Sequence, residues 1–408
     1  MPLLQTSLPE LTGVYNSKLV KLVKKPLKGS KLVRGKEYPI GLDLVVESQD
    51  GTLSGLDIAE VNQFFQDLGE SGTLLQLITE HGLVIIQNLN STDPEHYSQI
   101  VNSFFKAQQY HEFEQVGLLA VREKVKKAVS TVGNDDKLNK NLGKLSAHQE
   151  FSRYLDYPHV LTFFAEKAPK LGGGQSTTTH ATELFDRVVN KFPEFIRDLY
   201  EKQGNHVSQK FSYKVSGESK FKISWTDEGA FGKYITQEEK DSEDIEAMKA
   251  KAVRLANERV SKNVEFDEHH DLILHQTSDI VQIHPLTKNP IIFSSLPTYY
   301  GGYYKAKKGK TEDEISQLTP PPLSYGDGDL IPEKYLDYLF EQSQELEYTH
   351  DFADGDILFL DNFSVYHGRN PYTRGDRTIL ASFWEQKDSS RPKPYKPQTL
   401  EELIKPSI

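Results

Sequence analysis

Three residue types decide what metal or nucleophile chemistry this 408-residue chain could carry: 13 histidines, 59 aspartates and glutamates, and no cysteine. Without cysteine there are no disulfides, no thiolate-held zinc, no iron–sulfur clusters and no thiol nucleophile. A metal would have to be held by histidine and carboxylate, which favours iron(II), manganese or a histidine-rich zinc site. A histidine and a carboxylate two residues apart on an extended segment point the same way and can reach one ion. Two stretches have that spacing, His148-Gln149-Glu150 and His269-His270-Asp271. Composition alone produces about two such pairs by chance, so spacing does not choose between them. Context does: His269 and Asp271 sit in the polar tract Asp267-Glu268-His269-His270-Asp271, which reads as a hairpin turn. His148 and Glu150 precede Phe151 and Tyr154 and a glycine-rich connection, Gly172-Gly173-Gly174-Gln175-Ser176.

A further histidine and two arginines close the chemical inventory. Asp356-Ile357-Leu358-Phe359-Leu360-Asp361-Asn362 leads to His367-Gly368-Arg369, and Gly375-Asp376-Arg377 opens the next apolar run. The pattern reads as two strands around a turn. A histidine and an arginine brought to one end of a sheet could serve a metal and an anionic ligand.

The elements that must position these residues follow from periodicity. The basic stretch 14–41 reads as a solvated arm ending in a short strand at 42–46. Helical spacing marks two short helices over 58–81, and the apolar run 82–86 is a buried strand. Asp93-Pro94 caps a helix running to about 110. Residues 181–204 are helical around Pro193, and Thr236 with Glu239 forms a capping box for a charged helix reaching about 262. Strands follow at 272–274, 280–283 and 291–293, then a helix at 332–346. His284, Trp225 and Trp384 read as structural. No regular βα alternation is present, which argues against a doubly wound sheet. The expected class is mainly β with α decoration: a double-stranded β-helix (jelly-roll) core with N-terminal and inserted helices. The division is 1–56 as N-terminal arm and strand extension, 57–390 as the main domain with a helical insert at about 181–262, and 391–408 as a tail. The net charge of −11 argues against nucleic acid and anionic membrane as partners. No apolar run is long enough to span a membrane, and the first residues lack a signal-peptide pattern, so a cytoplasmic location is expected.

In order along the chain, His148-Gln149-Glu150, Tyr157-Pro158, Leu161–Phe164, Gly173–Ser176, Ser224-Trp225, His284-Pro285, Tyr325–Gly328, Asp356–Asn362, His367-Gly368-Arg369 and Gly375-Asp376-Arg377 resemble the taurine/2,4-dichlorophenoxyacetate dioxygenase family. These are iron(II)- and 2-oxoglutarate-dependent oxygenases, and the His-x-Glu variant is similar to the clavaminate synthase branch. The resemblance implies that His148, Glu150 and His367 ligate iron(II) and that Arg377 holds the distal carboxylate of 2-oxoglutarate, supported by the Ser176 hydroxyl. A guanidinium suits that task because it binds a carboxylate through two parallel charge-assisted hydrogen bonds; Arg374 is the competing arginine. It further implies a small-molecule substrate, O2 as second cosubstrate, and C–H oxidation with release of succinate and CO2. The branch's substrate-binding arginine, four residues beyond the cosubstrate arginine, is replaced by Ala381, so an amino-acid substrate does not carry over. Lys144 and Ser146 on one side, and Tyr299 and Tyr300 in an aromatic, glycine-rich lid, are the expected substrate-pocket residues. A zinc hydrolase using the same three ligands and a non-catalytic jelly-roll binding protein are the competing readings.

Overall fold

The run Ile357–Asp361 lies in the middle of a ten-stranded sheet, between Leu83–Gln87 and Val160–Lys167, with Thr378–Glu385 beyond the latter. All five of its residues are buried because both faces of the sheet are covered. Ile357 and Phe359 pack with Val84, Ile86, Phe164 and Leu380 under the helices Ile58–Ser71 and Pro94–Ala107. Leu358 and Leu360 enter a second core with Leu83, Ile85, Leu161 and Ile379. A strand covered on both sides needs apolar residues at every position, which is why the run is continuous rather than alternating. The computed structural model describes residues 11–53, 57–120, 122–132, 141–170, 172–215, 223–373, 377–386 and 391–396. Arg374, Gly375, Asp376 and residues 397–408 of the tail lie outside them.

The second core is closed by a four-stranded sheet in the order Leu145–His148, Val365–Arg369, Ser176–His180, Tyr348–His350. Val365 and Tyr348 reach into that core from this sheet, as do Ala381 and Phe383 from the large one. The far side of the small sheet is covered by the helices Ala181–Lys191, Leu296–Lys307 and Glu333–Glu345, with Tyr366, Leu184, Tyr300 and Phe340 in the shared cluster. A third sheet, Asn263–Phe266, Leu272–Ser278, Asn205–Phe211 and Ser324–Tyr325, carries the helix Ile245–Arg259.

Three expectations need correction. The protein is mixed α/β, with helices closing three of the cores, rather than mainly β with helices as decoration. Residues 14–41 do not form a solvated arm. Lys18–Lys25 pairs along Ile40–Glu47, which runs parallel to Leu83–Gln87, so this stretch extends the large sheet. Its lysines misled because Val20 and Leu22 alternate with them and face the core while Lys21 and Lys25 pair with Glu47 and Asp43. The 181–262 insert is not all helix either, since Asn205–Phe211 is a strand. The capping box at Thr236 is present, yet its helix ends at Asp241 and a new one starts at Ile245 with Asp244 as its cap. No helix among the described residues is long and apolar enough to cross a membrane.

Two measurements test this packing. Leu22 is buried in the first core, so Leu22→Ala should cost about 2–5 kcal/mol in urea unfolding; a solvated arm would show no loss. The second concerns acid. His180 caps the helix Ala181–Lys191 by accepting the Thr182 N–H on Nδ1, and burial pushes its pKa down to about 3. His159 is likewise pushed down by burial, to about 4. Between these values and the ordinary histidine value of about 6.5, the unfolded chain binds more protons, so stability falls as pH drops. His180→Asn keeps a side-chain acceptor at the cap, and its urea midpoint should fall less than that of the wild type between pH 7 and pH 5.

Candidate metal centre

The site begins with an irregularity in the small sheet. Leu145 pairs with Arg369 and His148 with His367, so the first strand spends one residue more than its partner. This is a bulge, and it re-aims side chains. Ala147 joins the outer helix-covered core, and the Ser146 hydroxyl oxygen lies against Gly301 of the helix Leu296–Lys307. His148 then returns to the inner face, directly across from His367.

The turn after the bulge is stitched to the end of the Ile357–Asp361 strand by two buried amides. Gln149 donates from Nε2 to the carbonyls of Asn362 and Phe363, both at 2.8 Å, and accepts the Ser294 N–H on Oε1. Asn362 accepts the Glu150 N–H at 2.9 Å and donates to the carbonyls of Glu150 and Pro158 at 3.0 and 2.8 Å. Both side chains are wholly buried. Both amides therefore donate and accept, and together they hold the histidine–glutamate segment beside the strand that leads to His367.

The outcome is a compact donor set. One ligand atom from each of His148, Glu150 and His367 lies within 4.8 Å of the others. Glu150 Oε2 is 3.7 Å from His148 Nε2 and 3.4 Å from His367 Nε2. His148 Nδ1 faces the Ser146 carbonyl at 3.1 Å; an N–H there leaves the Nε2 lone pair for a metal. Burial pushes the Glu150 carboxyl up. The Arg122 guanidinium and hydrogen bonds from both histidines outweigh it and hold the group well below the usual carboxylate range. Burial and the neighbouring His148 push His367 down to about 4. An ionised carboxylate beside the neutral His367 imidazole suits ligation, and with the His148 Nε2 turned to the same point these residues fit a divalent ion.

The other expected residues divide. Arg377 is buried, donates from Nε to the Gly174 carbonyl at 3.0 Å and lies 5.4 Å over the Tyr372 ring. Gly174 opens the connection to Ser176, and a side chain there would press on Arg377: its Cβ would stand 3.0 Å from Arg377 Cδ. Ser176 pairs with Arg369, and Thr178, two residues on, pairs with His367. The two-residue period therefore puts Ser176 on the face that carries the histidine. Lys144 instead bonds Glu347 at 2.6 Å, and Tyr300 donates to Asp337 at 2.7 Å between two helices. Tyr299 lies with its ring 5.2 Å from the Arg153 guanidinium. The expected lid is part of the helix Leu296–Lys307. Gly301 is there for close approach rather than mobility, since a Cβ would stand 2.6 Å from the Phe340 ring and 2.9 Å from Ser146 Oγ.

The rival pair lies elsewhere. His269 and Asp271 occupy the tight turn between Asn263–Phe266 and Leu272–Ser278, held by Asp267 and Lys210. His284 is structural, bonding Asp361 at 2.9 Å in the core. Sequence reasoning missed Arg122, which bonds Glu150 Oε1 at 2.7 Å from a loop with no motif of its own. It quoted Asn362 without a role; a buried amide directly after an apolar strand was the available signal.

A family model described as "Taurine catabolism dioxygenase TauD, TfdA family" matches residues 44–384. The chain is similar to a clavaminate synthase-like protein of Arabidopsis thaliana, 22% identical over 306 residues, covering 75% of this chain and 82% of that protein. It is also similar to the dapdiamide synthesis protein DdaC of Enterobacter agglomerans, 20% identical over 323 residues, covering 79% and 86%. A crystal structure of a taurine dioxygenase from Burkholderia xenovorans superposes with a TM-score of 0.43 at 12% identity, covering 94% of this chain and 98% of that one.

Replacing Asn362 by alanine orphans buried backbone groups on the histidine–glutamate segment. Asn362→Ala should lower stability by about 1–3 kcal/mol in urea unfolding and weaken manganese(II) binding, measured by calorimetry, by more than the stability loss alone would.

Proposed function

The chain belongs to the taurine catabolism dioxygenase TauD, TfdA family, and on that premise we propose that it is an iron(II)- and 2-oxoglutarate-dependent oxygenase oxidising a C–H bond of a small-molecule substrate. The observation that carries this reading is the buried set of two imidazoles and one ionised carboxylate drawn together from segments more than two hundred residues apart. Three ligands on one face are the protein's share of a site that keeps its remaining positions for cosubstrate and oxygen.

Each residue has a stated task in this reading. His148, Glu150 and His367 hold iron(II), with the Asn362 and Gln149 amides fixing the segment they come from. Arg377 binds the far carboxylate of 2-oxoglutarate, and its Nε bond to Gly174 fixes the direction of the fork. Ser176 offers a hydroxyl to the same carboxylate from the small sheet. Bound there, iron(II) would supply the oxidising chemistry: R–H, 2-oxoglutarate and O2 become R–OH, succinate and CO2. The apolar wall of Phe163, Ala381 and Phe383 keeps water from the reacting carbon, with the Phe163 ring 5.4 Å from that of His367. Ala381 is wholly buried on that wall opposite Phe163 and brings no charge, so the strand after Arg377 offers no counter-ion to a substrate carboxylate. The two sheets facing each other across this core correspond to a double-stranded β-helix.

Purified protein given iron(II), 2-oxoglutarate and oxygen should form succinate, slowly without substrate and faster with it. His367→Ala should abolish succinate formation. Arg377→Ala should weaken 2-oxoglutarate binding by about a hundredfold, in line with about 3 kcal/mol for a buried charge-assisted pair, while leaving manganese(II) binding in place. Metal binding without any 2-oxoglutarate binding would sink the oxygenase reading.

A further inference from the structure

One cation outside the expected set touches the metal centre. Arg122 comes from the connection between the short strands His111–Glu112 and Lys124–Lys126 at the margin of the large sheet, not from a strand that carries a ligand. Its Nη2 donates to Glu150 Oε1 at 2.7 Å, its Nη1 donates to Gln115 Oε1, and its guanidinium carbon lies 4.9 Å over the Phe383 ring. Three contacts in three directions fix the fork, and its partner Glu150 is buried. The arrangement is thus not an exposed ion pair of negligible consequence.

The two oxygens of Glu150 have different surroundings. Oε2 faces both imidazoles, at 3.7 and 3.4 Å, whereas Oε1 is occupied by Arg122. A carboxylate with both oxygens free can ligate one ion through either one or two of them. Two-oxygen ligation would raise the protein's share of a six-coordinate site from three positions to four. Only two would then remain, too few for a cosubstrate that chelates and for oxygen. A lysine could neutralise Glu150 but could not also bond Gln115 and lie flat on Phe383.

We propose that Arg122 is a positioning residue of this centre: by holding Oε1 it restricts Glu150 to one-oxygen ligation and keeps one coordination position open for oxygen beside a chelated cosubstrate. The inference rests on the oxygenase reading above. Its signature is a split between ligand affinities and the open position. Freeing Oε1 leaves metal binding intact or tighter, because Glu150 can then offer both oxygens. It leaves two positions for a chelating cosubstrate and none beside it.

The test uses the full chain under anaerobic conditions, with manganese(II) and 2-oxoglutarate titrated in turn by calorimetry. Arg122→Gln should bind manganese(II) at least as tightly as wild type and 2-oxoglutarate within about threefold of wild type, since two positions still admit a chelate. Water-proton relaxation by the protein loaded with manganese(II) and 2-oxoglutarate should then report about one metal-bound water in wild type and about none in the glutamine variant. Arg122→Lys separates charge from geometry and should also lose most of that water signal; it carries the test if the glutamine variant does not fold. Equal loss of both affinities would show a merely structural arginine and overturn the proposal. So would full recovery of the water signal by lysine, or a wild-type water signal in the glutamine variant. If the wild-type protein binds manganese(II) but no 2-oxoglutarate, the oxygenase reading fails instead, and the two failures are thereby distinguished.

Discussion

The site depends on two buried amides. Gln149 and Asn362 each use both ends of a side-chain amide to bond backbone, Gln149 that of 362–363 and Ser294 and Asn362 that of Glu150 and Pro158, and between them they satisfy six backbone groups. A buried, unpaired N–H or carbonyl is expensive, so neither segment can move without leaving several such groups exposed to the apolar core. His148 and Glu150 hang from one segment, and His367 follows the other by a few residues. The ligand geometry is therefore held by neutral hydrogen bonds, leaving the charged side chains free for a metal.

Electrostatics then sorts the roles. Burial alone would drive Glu150 towards its protonated form, as it drives Tyr154 and His367 towards neutrality. The Arg122 guanidinium and hydrogen bonds from His148 and His367 together reverse that outcome for Glu150. The centre thereby combines an ionised carboxylate with an uncharged His367 inside a core whose other walls, Phe163, Ala381 and Phe383, carry no charge at all.

Several elements were legible in the amino-acid order because their causes are local. The helices at 58–71 and 94–107 follow from apolar spacing and from Asp57 and Asp93 as caps, and the central strand from its unbroken apolar run. The basic N-terminal stretch was misread for the opposite reason. Its lysines are paid partners of acidic side chains on the neighbouring strand, and no local rule announces which strand that will be. The aromatic, glycine-rich segment at 299–304 was misread as mobile because glycine marks both flexibility and close approach, and only the packing of Gly301 against Phe340 and Ser146 distinguishes the two.

By itself the sequence determined which chemistry was available: no thiol, two histidine–carboxylate pairs, a strand-end histidine, and an ordered series of short motifs whose family the profile match over 44–384 bears out. Tertiary structure alone decided that His148 and Glu150 stand beside His367, that His269 and Asp271 stay in a surface turn, and that Arg122 reaches Glu150. The physical reason is range. Periodicity, caps and turns are written within a few residues, whereas Glu150 and Asn362 meet across 212 positions, through a sheet register and a bulge that no local pattern specifies.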